Sequence, residues 1–261
     1  MKLPILNYHG IQSFEGEFGW TEAERPYVLG HAEFDLQLEA LVQSGFHSLN
    51  LKELNQWLEN GRTVEKPVFL SFDDGPIGHF QYAAPALKRR SMKAIFFVSA
   101  ALVGKPGQMD WKELLDLLRQ GFEIGSHGLR HIPLTQLSES DLLEEIAGSK
   151  KILEERLGIP ILSFSVPRGF YAPRISDLAK RAGYRCVFTS KFDLNKRGAD
   201  PMQLKRLVVK ANCGEADFLR MIYGKLGPKG VLEALKNNLR QTMSPDLYDK
   251  AALLKRKLIL R

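Results

Sequence analysis

Phe69-Leu-Ser-Phe-Asp-Asp-Gly-Pro76 is the stretch on which the reading of this chain turns. Lys66-Pro67 opens it, the apolar run Val68 to Phe72 has strand composition, and two adjacent carboxylates, Asp73 and Asp74, end it at a Gly-Pro breaker. The pattern predicts a buried strand that delivers both carboxylates to its carboxyl end. Neighbouring carboxylates there repel one another, so a cation, a proton or several hydrogen-bond donors must compensate them. A metal does so most simply. The plainer reading is a polar turn after a strand, since Asp-Gly-Pro is turn chemistry by itself.

Further along, Gly125-Ser-His-Gly-Leu-Arg-His131 sets His127 and His131 four residues apart. On a helical turn that spacing places both imidazoles on one face. With Asp74 they form a three-ligand N/O set that keeps positions open for water and substrate, the layout of a catalytic metal. Two unrelated histidines at a helix start would explain the second segment alone. The two segments together favour a shared ion. A phosphotransferase with an aspartate nucleophile also begins with a strand ending in Phe-Asp-Asp-Gly, and the histidine pair argues against it.

Outward from these segments, strands and helices alternate. Pro4 to His9 reads as a strand with a polar tip, followed by a long loop, Gly10 to Gly30, placed to wall a substrate groove. A helix through Phe34, Leu38, Leu41 and Val42 stops at Gly45; Phe46 to Leu49 is a short strand and Leu51 to Leu58 a second helix. Helices over His79 to Arg90, Trp111 to Arg119, Ser138 to Leu157 and Arg174 to Ala182 alternate with strands over Ala94 to Val98, Phe122 to Ile124, Ile161 to Val166 and Cys186 to Thr189, and Leu204 to Val209 is the last strand. Such alternation predicts an α/β fold with a mainly parallel sheet. Beyond Glu215 the pattern turns helical, with segments over Phe218 to Tyr223, Val231 to Leu239 and Leu247 to Leu260. The expected division is one barrel-sized domain over residues 1–214 and a helical extension packed on it over 215–261.

The 261 residues are 44% hydrophobic, enough for a substantial core, and contain no run of the roughly 18 to 20 apolar residues that cross a membrane. The amino terminus has no signal-peptide core, so the expected location is cytoplasmic. Lys and Arg exceed Asp and Glu by 37 − 30 = 7. That excess suits an anionic glycan, a lipid-linked phosphate, a membrane surface or a nucleic acid, and the last, resting on charge alone, ranks lowest. Lys250 to Arg261 mixes Leu and Ile with Lys and Arg, so this stretch suits an anionic inner-membrane surface, although packing on the barrel is the stronger expectation. Cys186 and Cys213 lie in no paired metal motif and read as free thiols. The sequence sets no oligomeric state.

At its two decisive segments the chain resembles the polysaccharide deacetylases, the NodB-homology group of carbohydrate esterases (family four), in its exopolysaccharide-deacetylase-like branch. Phe72-Asp-Asp-Gly-Pro76 is similar to the family's first motif and Ser126-His-Gly-Leu-Arg-His131 to its second, with Gly128 where Ser or Thr is usual. The resemblance implies a distorted (β/α) barrel of about seven strands with the site at the strands' carboxyl ends. It further implies that Asp74, His127 and His131 hold a divalent metal and that Asp73 is the general base. Zinc suits the ligands best, and cobalt, nickel or iron fit the same set.

Ser163-Phe-Ser-Val-Pro-Arg-Gly-Phe-Tyr-Ala-Pro173 stands in the place of the third motif. Pro167 and Gly169 align with it, and Arg168 replaces a tyrosine whose backbone N–H serves the oxyanion. Pro167, Arg168 and Gly169 are therefore expected at the substrate, with the Arg168 N–H as oxyanion donor. A solvated arginine in a Pro-Gly turn is the alternative. The family's leaving-group histidine has no counterpart after His131, which makes His9 the candidate acid; a structural hydrogen-bonding role is its alternative. Arg206, like Asn7-Tyr-His-Gly-Ile11, resembles residues of the exopolysaccharide branch and is expected to touch substrate, a surface ion pair being the other reading. The implied function is metal-dependent removal of N- or O-acetyl groups from a sugar intermediate of exopolysaccharide or envelope glycan synthesis. The competing function is glycan binding without turnover on the same fold.

Overall fold

The computed structural model describes residues 2–59 and 64–228, and beyond them 230–232, 234–236 and 247. The expected helix Val231 to Leu239 falls only partly inside this range. Of Leu247 to Leu260 only Leu247 does, and Lys250 to Arg261 lies outside it.

Seven parallel strands form one curled sheet: β1 Ile5–Tyr8, β2 Pro67–Phe72, β3 Ile95–Val98, β4 Glu123–Ser126, β5 Ser163–Ser165, β6 Cys186–Phe188 and β7 Leu207–Val208. Their order is β6-β5-β4-β3-β2-β1-β7, with the short strand His47–Ser48 also paired to β2. The segment from Leu204 to Val208 reaches both edges. Leu204 makes a single parallel bridge to Phe188 of β6, while Leu207 and Val208 pair with Leu6 and Asn7 of β1. The expected seven-stranded α/β barrel architecture is thus the one observed.

The period of two along each strand sorts the side chains into two sets. Phe69 on β2 and Phe188 on β6 stand four strands apart in the order, yet their rings stack at 5.5 Å, so these residues fill the inside of the curl. Ile5, Ile95, Phe97, Cys186 and Leu204 belong to the same cluster, which the helix Leu51–Leu58 joins through Leu54 and Trp57. Leu6, Tyr8, Leu70, Phe72, Phe96 and Val98 belong instead to the cluster shared with the outer helices. Ser71 and Asp73 continue the inward set that Phe69 begins.

Two differences from the expected elements matter for the site. The helix expected over Ser138 to Leu157 is capped by Ser138 as anticipated, but it runs Glu139–Leu143, widens into a π-turn at Glu144–Gly148 and resumes at Ser149–Leu157. The loop after β1 is stiffened by a parallel pair, Gly10–Gln12 with Val28–Gly30, and Trp20 packs over Gly10 so closely that a Cβ there would lie 2.8 Å from its ring. The helix Glu215–Ile222 lies on the helix His31–Gln43 and buries Phe218, Met221 and Ile222 in the cluster that holds Phe34 and Leu38. No helix among the described residues is long and apolar enough to cross a membrane.

Candidate metal centre

The two carboxylates that end β2 go to different places. Asp73 continues the strand, its N–H donating to the Tyr8 carbonyl at 2.9 Å. Asp74 then adopts φ 77° and Gly75 φ 73°, a left-handed pair that breaks the alternation and turns the second carboxylate toward the rim. Gly75 is required there, because a Cβ would lie 2.8 Å from the Val98 side chain.

Asp73 is only 2% exposed and is held by four side-chain bonds from two strands, β1 and β5, and the residue before β7. Arg206, with no exposed surface, forks onto it, Nη1 to Oδ1 and Nη2 to Oδ2, each at 2.8 Å. Ser165 Oγ donates to Oδ1 and Asn7 Nδ2 to Oδ2, both at 3.1 Å. Arg206 is fixed in turn by the Thr189 carbonyl at 3.0 Å and the Ser165 hydroxyl at 2.9 Å. Burial pushes the Asp73 carboxyl up, but the Arg206 charge, reinforced by His127, outweighs it and holds the group down at about 2.

Asp74 is half-buried and faces two imidazoles. His127 Nε2 lies 3.2 Å and His131 Nε2 3.0 Å from the same oxygen, Asp74 Oδ1. His127 follows β4 with its N–H on the Val98 carbonyl, and its other ring nitrogen, Nδ1, sits 2.9 Å from the Ser165 carbonyl. A carbonyl only accepts, so Nδ1 carries hydrogen and Nε2 is the ring atom left to meet Asp74 or a cation shared with it. The three ligand atoms lie within 4.8 Å of one another, and the set suits a divalent cation. Proximity to the imidazoles, opposed by burial, holds Asp74 well below the usual carboxylate range; burial lowers the His131 pKa, yet the Asp74 charge leaves it raised overall.

The expected helical turn between the histidines is not present. Gly128 at φ 77° and His131 at φ 58° fold residues 127–131 into a loop, and this reversal, not helical periodicity, brings the two rings to 5.1 Å. Glycine suits 128, where φ is positive and a Cβ would sit 3.1 Å from the Pro167 ring and 3.3 Å from a Glu145 oxygen.

The family-model comparison finds polysaccharide deacetylase over residues 60–187. Over these residues the chain matches the polysaccharide deacetylase family. YxkH of Bacillus subtilis (strain 168), named for the same family, is 27% identical over 83% of this chain and 75% of its own length. The poly-beta-1,6-N-acetyl-D-glucosamine N-deacetylase of Staphylococcus aureus (strain MSSA476) is 23% identical over 70% of each. Among solved structures, the Streptococcus pyogenes deacetylase PplD in complex with acetate superposes with a TM-score of 0.76 at 24% identity, covering 85% of this chain and 98% of that one. IcaB from Ammonifex degensii gives 0.73 at 24% identity, covering 87% and 97%.

In this fold the remaining expected residues fall as follows. Arg206 contacts no surface, so the expected substrate contact gives way to a buried clamp on Asp73, and the ion pair it makes is an internal one. Pro167 and Gly169 are buried and shape the 3-10 turn Pro167–Gly169, while Arg168 at φ 58° is exposed close enough for its charge to act on His131. His9 follows β1. Its ring lies 5.3 Å from Tyr27, its Nδ1 is buried without a partner among the described residues, and burial lowers its pKa although Asp74 and Asp73 pull it up. Sequence reasoning missed His79, a wholly buried ring held near a pKa of about 4, chiefly by burial, whose Nε2 donates to the His9 carbonyl. It also missed Glu145, although a lone carboxylate in the apolar stripe of Leu142, Ile146 and Leu153 was a signal in plain view.

Proposed function

We propose that this protein is a metal-dependent hydrolase that removes acetyl groups from an acetylated sugar or glycan of exopolysaccharide or envelope synthesis. The observation that carries this reading is the convergence of Asp74, His127 and His131 beside a carboxylate, Asp73, that the protein keeps ionised. These three residues would hold a divalent ion, zinc by ligand type, which would acidify an attacking water and polarise the acetyl carbonyl.

The chain's own residues do the rest. Asp73 accepts the water's proton, and Arg206, Asn7 and Ser165 aim its carboxylate and prevent it from rotating away. The Arg168 N–H donates to the carbonyl oxygen as negative charge develops there. His9, whose pKa burial lowers, is the candidate to deliver to the departing amine or alcohol the proton that Asp73 takes from the water. The buried His79 bond on its carbonyl fixes the backbone that carries it. The staphylococcal relative makes polymers of N-acetyl-D-glucosamine the first substrates to try.

Glycan binding without turnover is favoured by one observation, the depressed pKa of a carboxylate already engaged by four donors, which makes Asp73 a weak base. The deciding measurement is acetate release from a panel of N- and O-acetylated glycans, followed by mass spectrometry. Chelator-sensitive release supports the hydrolase. Tight glycan binding with no acetate from any member of the panel supports the second reading.

A further inference from the structure

The histidine loop is held from behind by a side chain that the proposed chemistry does not use. Glu145 has no exposed surface. Its Oε2 accepts from the Leu129 N–H at 2.9 Å and the Arg130 N–H at 3.1 Å, and its Oε1 accepts from Arg130 Nε at 2.6 Å. Leu129 and Arg130 are two of the three residues between His127 and His131. A buried carboxylate is costly unless charge and donors surround it, so these bonds resist the loop's opening.

The carboxylate reaches the loop because it lies in the π-turn Glu144–Gly148, whose wider coil re-aims the residues it contains. The turn is itself fastened. The Ile146 carbonyl accepts from Ser149 Oγ and from Tyr184 Oη, both at 3.0 Å. Ser149 Oγ also meets Ser126 Oγ at 2.8 Å, and Ser126 Oγ accepts from the Gly128 N–H at 3.2 Å. Three consecutive loop amides, at 128, 129 and 130, are therefore tied to one helical irregularity. On the loop's other side Pro167 fills the space, and the absent side chain of Gly128 lets both walls approach.

We infer that Glu145 is the positioning residue of the metal centre: by gripping the Leu129 and Arg130 amides from the π-turn, it sets the spacing of His127 and His131 and so the affinity for the divalent ion. The inference rests on the metal-site reading above, and its test separates the two. Zinc dissociation constants, measured by competition with a chromophoric chelator, would be compared for wild type, H127A, E145Q, E145D and R130A, together with the Co2+ electronic spectrum and the melting of the metal-free proteins.

E145Q, which keeps the shape but not the charge, is expected to bind zinc about 10-fold or more weakly, with a changed Co2+ spectrum, as partners behind metal ligands commonly do. E145D is expected to recover part of the loss. R130A, which keeps both backbone donors, is expected to lose less than E145Q. If H127A loses zinc while E145Q melts lower but binds with wild-type affinity and an unchanged spectrum, Glu145 is only a structural carboxylate and the inference falls alone. If H127A binds zinc as wild type does, the metal reading and this inference fall together.

Discussion

Two neighbouring carboxylates meet opposite solutions to the same electrostatic problem. Asp73 is enclosed, and the protein supplies everything it needs: a forked guanidinium, a hydroxyl and an amide. Asp74, one residue later, stays half-exposed and faces two imidazole nitrogens. The difference teaches where compensation comes from: the fold itself supplies it to the inner carboxylate, and on the metal reading proposed above a bound cation would supply it to the outer one.

Exchanging the charge at each position gives the largest expected contrast. Asp73→Asn should reduce acetate release by about 10³-fold, within the range a proton-transferring group contributes, and Asp74→Asn should abolish it by removing the metal. Elemental analysis should find the metal retained in the first and lost in the second. Metal lost from Asp73→Asn and kept by Asp74→Asn would reverse the assignment.

Arg206→Met probes the enclosure itself. It strands a buried anion and should destabilise the fold by about 3–5 kcal/mol, measured by urea unfolding. Combining it with Asp73→Asn should restore part of that loss, because the stranded charge is then gone. A single variant as stable as wild type would mean that water, not arginine, compensates Asp73.

Acid provides the gentlest probe. Asp73 titrates at about 2 in the folded chain against an ordinary 3.8, so the folded state binds this proton less readily than the unfolded one. Its contribution, about 2 kcal/mol, is present in full above about pH 4 and is lost as pH falls through about 2. In Asp73→Asn that part of the acid dependence should vanish from the unfolding curves.

The outline of both solutions was legible in the sequence to different depths. Parallel strands buried on two faces read as unbroken apolar runs, which is why Val68 to Phe72 and Ala94 to Val98 could be placed from composition. Asp73, Asp74, His127 and His131 were legible as chemistry, because few arrangements other than a metal site combine those residue types. The shape of the histidine loop was not. A spacing of four suits a helix, and only the positive φ values at Gly128 and His131 replace it with a reversal. Arg206 resembled a family residue, but its partner lies 133 positions earlier, beyond the reach of any local pattern. Glu145 stood in plain view in the apolar stripe of Leu142, Ile146 and Leu153, but nothing local to its helix names the loop amides it holds.

The arginine that pairs with Asp73 lies within the segment, Leu204 to Val208, that reaches both edges of the sheet. During synthesis the carboxylate therefore emerges long before its counter-charge, and a nascent chain halted short of residue 206 has no means of sealing that carboxylate in a dry interior. Pairing of Asp73 is in this way tied to the step that brings the two edges of the sheet together.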